Sequence, residues 1–332
     1  CMSACVYQKQ DPVNIPGIET RILDDVLALP FGVELYDLLV KWNPMRQHER
    51  LIAPPNGHAV AVVGMGPAGF AAAHHLTMHG CTVVGFDGLD LRSIDPEWIN
   101  APIHSIDTIM KPTNRQSTNG FGGVAQYGIT ARWDKNFLQL IYLILARRRQ
   151  FRAVGNMRFG GTCRVEDFWD MGFSHCVMAV GAGLPKAIDL PNSFAPGMRQ
   201  ATDFLMALQL TGATQGESLT TLEVQLPAVV IGGGLTAIDA ATEVQAYYIK
   251  QVELVYHRSV VLINSMGQEA FKQHFSDQDQ EKIEQYRSHG HAVWQERLRA
   301  KAQNEMPDFQ SLISQWGGVT IVYRQRLQQS PA

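Results

Sequence analysis

Cysteine is scarce in this sequence. Only five of the 332 residues are cysteines, and no two of them have the spacing Cys-x-x-Cys. So few cysteines in a chain of this length exclude a disulfide framework of the kind that secreted proteins use, and no signal-peptide pattern opens the sequence. The missing Cys-x-x-Cys spacing also argues against a redox disulfide between neighbouring cysteines. A reducing, cytoplasmic environment is therefore expected.

Long apolar runs and an excess of one charge are also missing. The longest apolar segment, residues 137–146, contains Gln139 and is followed by three arginines, whereas a bilayer span takes roughly 20 apolar residues. We interpret this segment as a packed helix. The formal net charge of −3 is too small for the footprint of a nucleic-acid-binding protein. Small cofactors are thus the expected partners, and neither nucleic acid nor a membrane is expected.

The length predicts two domains, because single hydrophobic cores usually stop growing below 332 residues. From residue 58 the pattern is strand, glycine turn, helix and strand, and the same order begins again near residue 227. This order predicts an α/β fold with two Rossmann-like dinucleotide-binding domains after a short helical N-terminal segment. The expected divisions are residues 1–57, 58–226 and 227–332, with a polar helical insertion at about 259–316.

The first glycine motif lies between the predicted strand 59–63 and a predicted helix. Gly64 allows a tight turn, Gly66 lets the backbone approach a pyrophosphate, and Gly69 lets the helix pack closely on the strand. The pyrophosphate then lies at the helix N-terminus. Asp87 ends the next strand, where it can accept hydrogen bonds from a ribose. The expected binding residues are Gly64, Gly66, Pro67, Ala68, Gly69 and Asp87.

A second glycine motif follows the predicted strand 228–231 and begins another helix. A chain with two such motifs has room for two dinucleotides. Asp87 favours an unphosphorylated ribose, which suits FAD at the first site, whereas the second site has no acidic residue at the matching strand end. The expected binding residues of the second site are Gly232, Gly233, Gly234, Thr236 and Ala237.

Two segments compete for the strand that follows the second motif. Residues 252–256 end near Arg258, and residues 319–323 end at Arg324 and Arg326. The first segment continues a helical spacing without a Gly or Pro to stop it, whereas the second follows two glycines and contains β-forming residues. We therefore predict that residues 319–323 form the strand. Arg324 and Arg326 would then bind the 2′-phosphate of NADPH, which is preferred over NADH.

The histidines of the polar insertion, His289 and His291, flank Gly290. No histidine in the sequence has both the i, i+4 partner and the carboxylate that are expected of a metal site. Both histidines are therefore expected on the surface.

The two glycine motifs and several other segments resemble those of the glutamate synthase small subunit family. The relatives of that family include the flavin-containing part of dihydropyrimidine dehydrogenase. The matching segments cover nearly the whole chain in the family's order, and they include residues 122–129, 179–182 and 323–326. The resemblance implies an NAD(P)H-dependent FAD oxidoreductase, with FAD at the first site and NADPH at the second. The further cofactor-binding residues that it implies are Gly122, Gly123, Tyr127, Gly128, Gly181 and Ala182.

The resemblance also implies iron–sulfur clusters that carry electrons onward to an acceptor subunit or domain. Cys1 and Cys5 match the last two cysteines of the family's N-terminal cluster motif, and a 4Fe-4S cluster needs four ligands. The alternative is that these two cysteines lie in a helix and bind no cluster. A cluster is therefore expected only in the full-length protein, of which this chain is expected to be a fragment truncated at both ends.

The sequence departs from the family at two positions, since Val180 stands where Thr is usual and Leu235 stands where Asn is usual. The leading hypothesis remains electron transfer from NAD(P)H through FAD to iron–sulfur clusters or a partner acceptor. The alternatives are a flavin monooxygenase, which also has two dinucleotide folds, and a nucleotide-binding scaffold without turnover. No residue is assigned a catalytic role, because FAD and NAD(P)H carry the hydride chemistry.

Overall fold

The computed structural model describes most of the chain in two compact units. The described residues are 6, 13–42, 51–91, 93–110, 121–126, 136–182, 185, 191–214, 218–220 and 222–326. Among them, the first unit contains the residues up to Gly181, and the second contains those from Ala182 onward. Within these ranges no helix combines the length and the apolar character that crossing a bilayer requires.

The first unit contains a parallel sheet and helices on both of its faces. Its elements are α1 (Ile15–Leu27), α2 (Gly32–Lys41), β1 (Ala59–Val63), α3 (Pro67–Met78), β2 (Thr82–Phe86), α4 (Pro96–Asn100), α5 (Asn136–Ala146), β3 (Phe151–Val154), α6 (Val165–Asp170) and β4 (His175–Met178). Short 3-10 helices cover Ile106–Thr108 and Gly123–Gln126. The apolar segment 137–146 is thus a helix, as predicted, and it packs in the core of this unit.

The sheet of the first unit has the strand order β3-β2-β1-β4, and all of its pairs are parallel. The chain passes from β1 through α3 to the neighbouring β2, then to β3 on the same side, and returns to place β4 on the other side of β1. The strand order therefore reverses between β1 and β4. In open α/β sheets such a reversal leaves a crevice at the carboxyl ends of the strands, where ligands bind.

Strand β1 is buried on both faces, which explains its unbroken apolar sequence. Val60 and Val62 belong to a core cluster with residues of α3 and α5. Ala61 and Val63 point to the opposite face and pack in a second cluster with Phe168 of α6. The alternation follows from the two-residue period of a strand. The position of β1 in the sheet is thereby fixed from both sides.

The two N-terminal helices are attached to the first unit through a partly buried ion pair. Arg147, which follows α5, donates from both terminal guanidinium nitrogens to the carboxylate of Glu34 in α2, at 2.9 Å each. Glu34 also accepts a hydrogen bond from the backbone N–H of Ile103. Only 8% of the Arg147 side chain is exposed, so this bidentate pair is screened less by water than a surface pair would be.

The second unit contains a two-stranded parallel sheet and a group of helices. Its elements are α7 (Ala201–Leu210), β5 (Ala228–Ile231), α8 (Leu235–Met266), α9 (Gln268–Lys272), α10 (Asp277–Gln303), α11 (Phe309–Gln315) and β6 (Val319–Val322). Residues 182–226, which the sequence placed with the first domain, are grouped here, and α7 packs with α8 in one core cluster. The polar stretch 259–316 contains the end of α8 and the helices α9, α10 and α11.

Strand β6 pairs with β5 in parallel, with Ala228 opposite Val319 and Ile231 opposite Val322. Residues 252–256 lie inside the uninterrupted helix α8. The prediction that the second of the two competing segments forms the strand is therefore confirmed. Helix α8 continues through the first segment because no residue in it breaks the helical hydrogen bonding.

Helices α8 and α10 cross at a position where α10 has a glycine. A Cβ atom at Gly290 would overlap the carbonyl oxygen of Val252 and would lie 2.6 Å from the Cβ of Tyr256, both in α8. The neighbouring His289 stacks on Trp316 with ring centroids 4.0 Å apart. His289 and His291 are both partly buried, so the expectation that they lie on the surface holds only in part, and burial lowers the pKa of the His289 imidazole.

We expect Gly290→Ala to lower the melting temperature of the chain. Alanine normally stabilises an exposed helix interior relative to glycine by roughly 1 kcal/mol. At this crossing the added methyl group would instead force the two helices apart, which typically costs about 1–3 kcal/mol. Thermal unfolding of Gly290→Ala, with the exposed Ser288→Ala of the same helix as the control, measures the difference. An increase in melting temperature for both variants would contradict the close crossing.

Candidate functional site

The candidate site of the first unit lies at the carboxyl edge of its sheet, beside the reversal of strand order. Gly64 follows β1 and donates its backbone N–H to the carbonyl oxygen of Phe86 at 2.7 Å. Ala179 follows β4 and donates to the carbonyl oxygen of Val63 at 2.8 Å. The loops after β1, β2 and β4 therefore converge at one edge, which is where the glycine motif and Asp87 are found.

Two glycines of the first motif are required by the packing of the protein itself. Gly64 has a φ of 96°, in the left-handed region, and a Cβ there would overlap the carbonyl group of Ala179. A Cβ at Gly69 would overlap the carbonyl oxygen of Gly64. These two glycines allow α3 to begin directly above the end of β1. Their roles in the turn and in close packing are those that the sequence predicts.

Gly66 differs, because no atom of the described residues requires a glycine at this position. Its backbone angles of −79° and −170° suit any residue, and the nearest atom to an added Cβ would be the Cα of Gly123, at 3.8 Å. Gly66 is the N-cap of α3, and no side chain there accepts a hydrogen bond from the first turn. Pro67 and Ala68, the next two residues, are exposed. The first turn of α3 therefore leaves backbone donors available for an anion.

The glycines of segment 122–129 lie against this motif. Gly122 donates its backbone N–H to the carbonyl oxygen of Met65 at 2.8 Å, and a Cβ at Gly123 would lie 3.0 Å from the Cα of Gly66. Both have a positive φ. The sequence resemblance groups these residues with the first site, and the structure brings them to it. Tyr127 and Gly128 lie outside the described residues.

Three further residues follow β2 and β4 at this edge. Asp87 directly follows β2, and its carboxylate accepts hydrogen bonds from the backbone N–H groups of Met65 and Leu89. Gly181 has a φ of 71°, and no atom of the residues that the structure describes lies within 4 Å of an added Cβ. Ala182 is exposed. Val180, one of the two departures from the family pattern, is 54% exposed, so an apolar side chain faces outward here.

The second motif repeats this arrangement in the second unit. Gly232 follows β5 with a φ of 144° and donates its N–H to the carbonyl oxygen of Val322 in β6. A Cβ at Gly233 would overlap the ring of Tyr323, which sequence reasoning missed as part of this loop. Gly234 is the N-cap of α8, and among the described residues no side chain caps this helix and no atom lies within 4 Å of an added Cβ. We call Gly234 and Gly66 the open glycines of their motifs, because each could carry a Cβ without a close contact to the described residues.

The remaining predicted residues of the second motif differ in their exposure. Thr236 is exposed in the first turn of α8, whereas Ala237 is buried, and its Cβ lies 3.2 Å from the Cβ position of Gly232. Ala237 thus packs inside the loop and does not face a ligand. Leu235, the second departure from the family pattern, is 66% exposed.

The arginines that compete for the ribose occupy different places in the second unit. Arg324 and Arg326 are exposed and directly follow β6, beside the glycine loop. Arg258 lies far along α8, and its guanidinium donates to the carbonyl oxygen of Ser218 at 2.7 Å. Only the first two are at a strand end, where a nucleotide ribose would lie.

The predicted cluster ligands Cys1 and Cys5 lie outside the described residues. In the part of the chain that the structure describes, no group of three or more His, Cys, Asp or Glu side chains could hold a metal ion. Cys81 and Cys163 are buried, and burial raises the pKa of the Cys163 thiol.

Several known proteins are similar in sequence to this chain. All 332 residues align at 38% identity with an uncharacterized protein of Rickettsia prowazekii (strain Madrid E), of which they cover 44%. The NADPH glutamate synthase small chain of Mycobacterium tuberculosis (strain H37Rv) is 29% identical over 252 residues, which are 72% of this chain and 41% of that protein. The NADPH glutamate synthase small chain of Escherichia coli (strain K12) is 28% identical over 212 residues, which are 61% of this chain and 37% of that protein.

The chain spans less than half the length of each of these relatives. The resemblance to glutamate synthase small subunits that the sequence motifs carry is confirmed. The family of pyridine nucleotide-disulphide oxidoreductases matches residues 58–285, a range that includes both glycine motifs and Asp87. The chain therefore belongs to the pyridine nucleotide-disulphide oxidoreductase family.

Proposed function

We propose that this protein passes electrons from NAD(P)H through FAD to iron–sulfur clusters or a partner acceptor. The observation that carries the proposal is the division of the motif glycines into two kinds. Gly64, Gly69 and Gly233 are needed by the protein's own packing, whereas among the described residues no atom comes closer than 3.8 Å to a Cβ added at Gly66, and none comes within 4 Å of one added at Gly234. Each open glycine caps a helix that follows a parallel strand, which is the geometry of a pyrophosphate site.

The first site fits FAD. The first turn of α3 supplies backbone N–H donors, and the positive end of the helix dipole favours the pyrophosphate. Gly66 and Gly123 bring backbone without side chains close together, since a Cβ at Gly123 would lie 3.0 Å from the Cα of Gly66, whereas a Cβ at Gly122 would meet the side chain of Leu138. Asp87 carries a carboxylate at the end of β2, where it favours a ribose without a phosphate. We accordingly assign residues 58–181 to the FAD-binding unit.

The second site fits NADPH. The first turn of α8 supplies the backbone donors, and Gly234 leaves room for the pyrophosphate. Arg324 and Arg326 follow β6 at the position where a dinucleotide ribose would lie, and a guanidinium favours a 2′-phosphate there. Two of the relatives are named as NADPH enzymes, which supports the same choice.

The hydride chemistry belongs to the cofactors, since FAD when bound accepts a hydride from the nicotinamide of NAD(P)H. The described residues of this chain bind and orient the two dinucleotides. We propose that the clusters are held in part by Cys1 and Cys5 in the full-length protein.

Full-length protein reconstituted with FAD is expected to be yellow, and anaerobic NADPH is expected to bleach the flavin absorbance. A protein that stays colourless after reconstitution would exclude the proposed function. Binding of both nucleotides without NADPH oxidation by artificial acceptors would identify a scaffold. Oxygen-dependent hydroxylation of a substrate, without cluster absorbance, would identify a monooxygenase instead.

Gly66→Ala is expected to weaken FAD binding roughly tenfold or more without changing the melting temperature of the cofactor-free protein. Within the part of the chain that the structure describes, the added methyl group makes only an ordinary contact with Gly123, at 3.8 Å. It would occupy the space of the pyrophosphate, and forcing a methyl group into a packed contact typically costs about 1–3 kcal/mol. Titration with FAD and cofactor-free thermal unfolding measure the two effects.

The matched control is Gly69→Ala in the same motif. Its methyl group would overlap the carbonyl oxygen of Gly64, so it is expected to lower the melting temperature even without FAD. Wild-type FAD affinity in Gly66→Ala would show that Gly66 does not face the cofactor.

Replacing both Arg324 and Arg326 by alanine is expected to raise the KM for NADPH at least tenfold and to leave the KM for NADH nearly unchanged. A charge-assisted hydrogen bond to a phosphate typically contributes about 1.5–3 kcal/mol, and NADH lacks that phosphate. Steady-state kinetics with both donors measure the effect, and Arg258→Ala is the control. Selective loss of NADPH in the control alone would show that the ribose lies elsewhere.

A further inference from the structure

Asp87 makes more contacts with the protein than a ribose acceptor requires. Its Oδ2 accepts a hydrogen bond from the backbone N–H of Met65 at 2.8 Å, and its Oδ1 accepts one from the backbone N–H of Leu89 at 2.9 Å. Met65 is in the turn between β1 and α3, and Leu89 is in the loop after β2. One carboxylate therefore joins the glycine motif to the end of the neighbouring strand.

The backbone of Asp87 extends this connection to β3. Its N–H donates to the carbonyl oxygen of Val154 at 3.0 Å, and its carbonyl oxygen accepts from the N–H of Met157 at 2.8 Å. Asp87 thus contacts the residues that follow or end β1, β2 and β3. All of these bonds are made between groups of the protein itself.

The bond to Met65 fixes the part of the motif on which nucleotide binding depends. Met65 stands between Gly64 and Gly66, and its side chain is fully buried under the sheet, where a Cβ at Gly85 would overlap its sulfur atom. The backbone N–H of Met65 donates to the Oδ2 atom of Asp87. A carboxylate acceptor makes a stronger bond to that N–H than a neutral group would.

We propose that Asp87 is a positioning residue that holds the glycine motif in its binding conformation before any nucleotide arrives. The proposal rests on the proposed function for its ligand, but the contact itself is independent of it. Each carboxylate oxygen has a second lone pair, so a ribose can still bind to Asp87. Asp87 would thus first hold the glycine motif in place and then also accept a hydrogen bond from the ribose.

The first test is hydrogen exchange of the backbone amides in cofactor-free full-length protein. Asp87→Asn removes the charge and turns an NH2 group toward one of the two amide donors, so the Met65 amide is expected to exchange at least about tenfold faster. Asp90→Asn, an exposed change of the same kind in the same loop, is expected to leave the Met65 amide as in the wild type. Equal Met65 exchange rates in the two variants would overturn the proposal.

The second test compares ADP with 2′,3′-dideoxy-ADP, which lacks the ribose hydroxyl groups. A positioning residue acts through the pyrophosphate loop, so Asp87→Asn is expected to weaken binding of the dideoxy analogue about tenfold, and binding of ADP at least as much because ADP also loses its ribose contact. A loss confined to ADP would show a ribose contact alone and would overturn the proposal.

If the wild-type protein binds neither ADP nor its dideoxy analogue, the proposed function fails, while the exchange experiment still decides the role of Asp87. If Asp87→Asn does not fold, Asp87→Glu replaces it, with the same two expectations. Glutamate keeps both acceptor oxygens but moves them by one methylene group, away from the Met65 and Leu89 amides.

Discussion

The close approach of Gly69 to the carbonyl oxygen of Gly64 is the constraint on which the first unit depends. Only a residue without a Cβ lets α3 begin directly where β1 ends. Because β1 is buried on both faces, the position of that turn is fixed by the core and not by the loop. The helix N-terminus is therefore held at the carboxyl edge of the sheet, next to the residues that follow β2 and β4.

The parts of this fold that the sequence predicts are those specified by residues near one another in the chain. Strand β1, helix α3 and strand β2 follow from a continuous apolar run, three glycines and a second apolar run within residues 59–86. The choice of residues 319–323 as a strand likewise needed only the preceding glycines and local β-propensity. In both cases local preference and tertiary packing favour the same structure.

The features that the sequence does not predict depend on contacts between distant residues. Nothing near Glu34 indicates that its carboxylate binds Arg147, 113 positions away. His289 is polar and lies in a charged segment, yet it packs on Trp316 because α10 crosses α8 at Gly290. For Asp87 the sequence indicated one role, the ribose contact, because its bond to Met65 is visible only when β1 and β2 lie side by side.

The length of α8 has a mechanical consequence for the second unit. At 1.5 Å per residue its 32 residues extend about 48 Å from the glycine loop. A rigid rod of that length is a lever, so a tilt of about 5° at the loop would displace the far end by about 4 Å. Helix α10 packs against the middle of this rod at Gly290. Any tilt of α8 that accompanies a ligand at the loop would therefore also move α10.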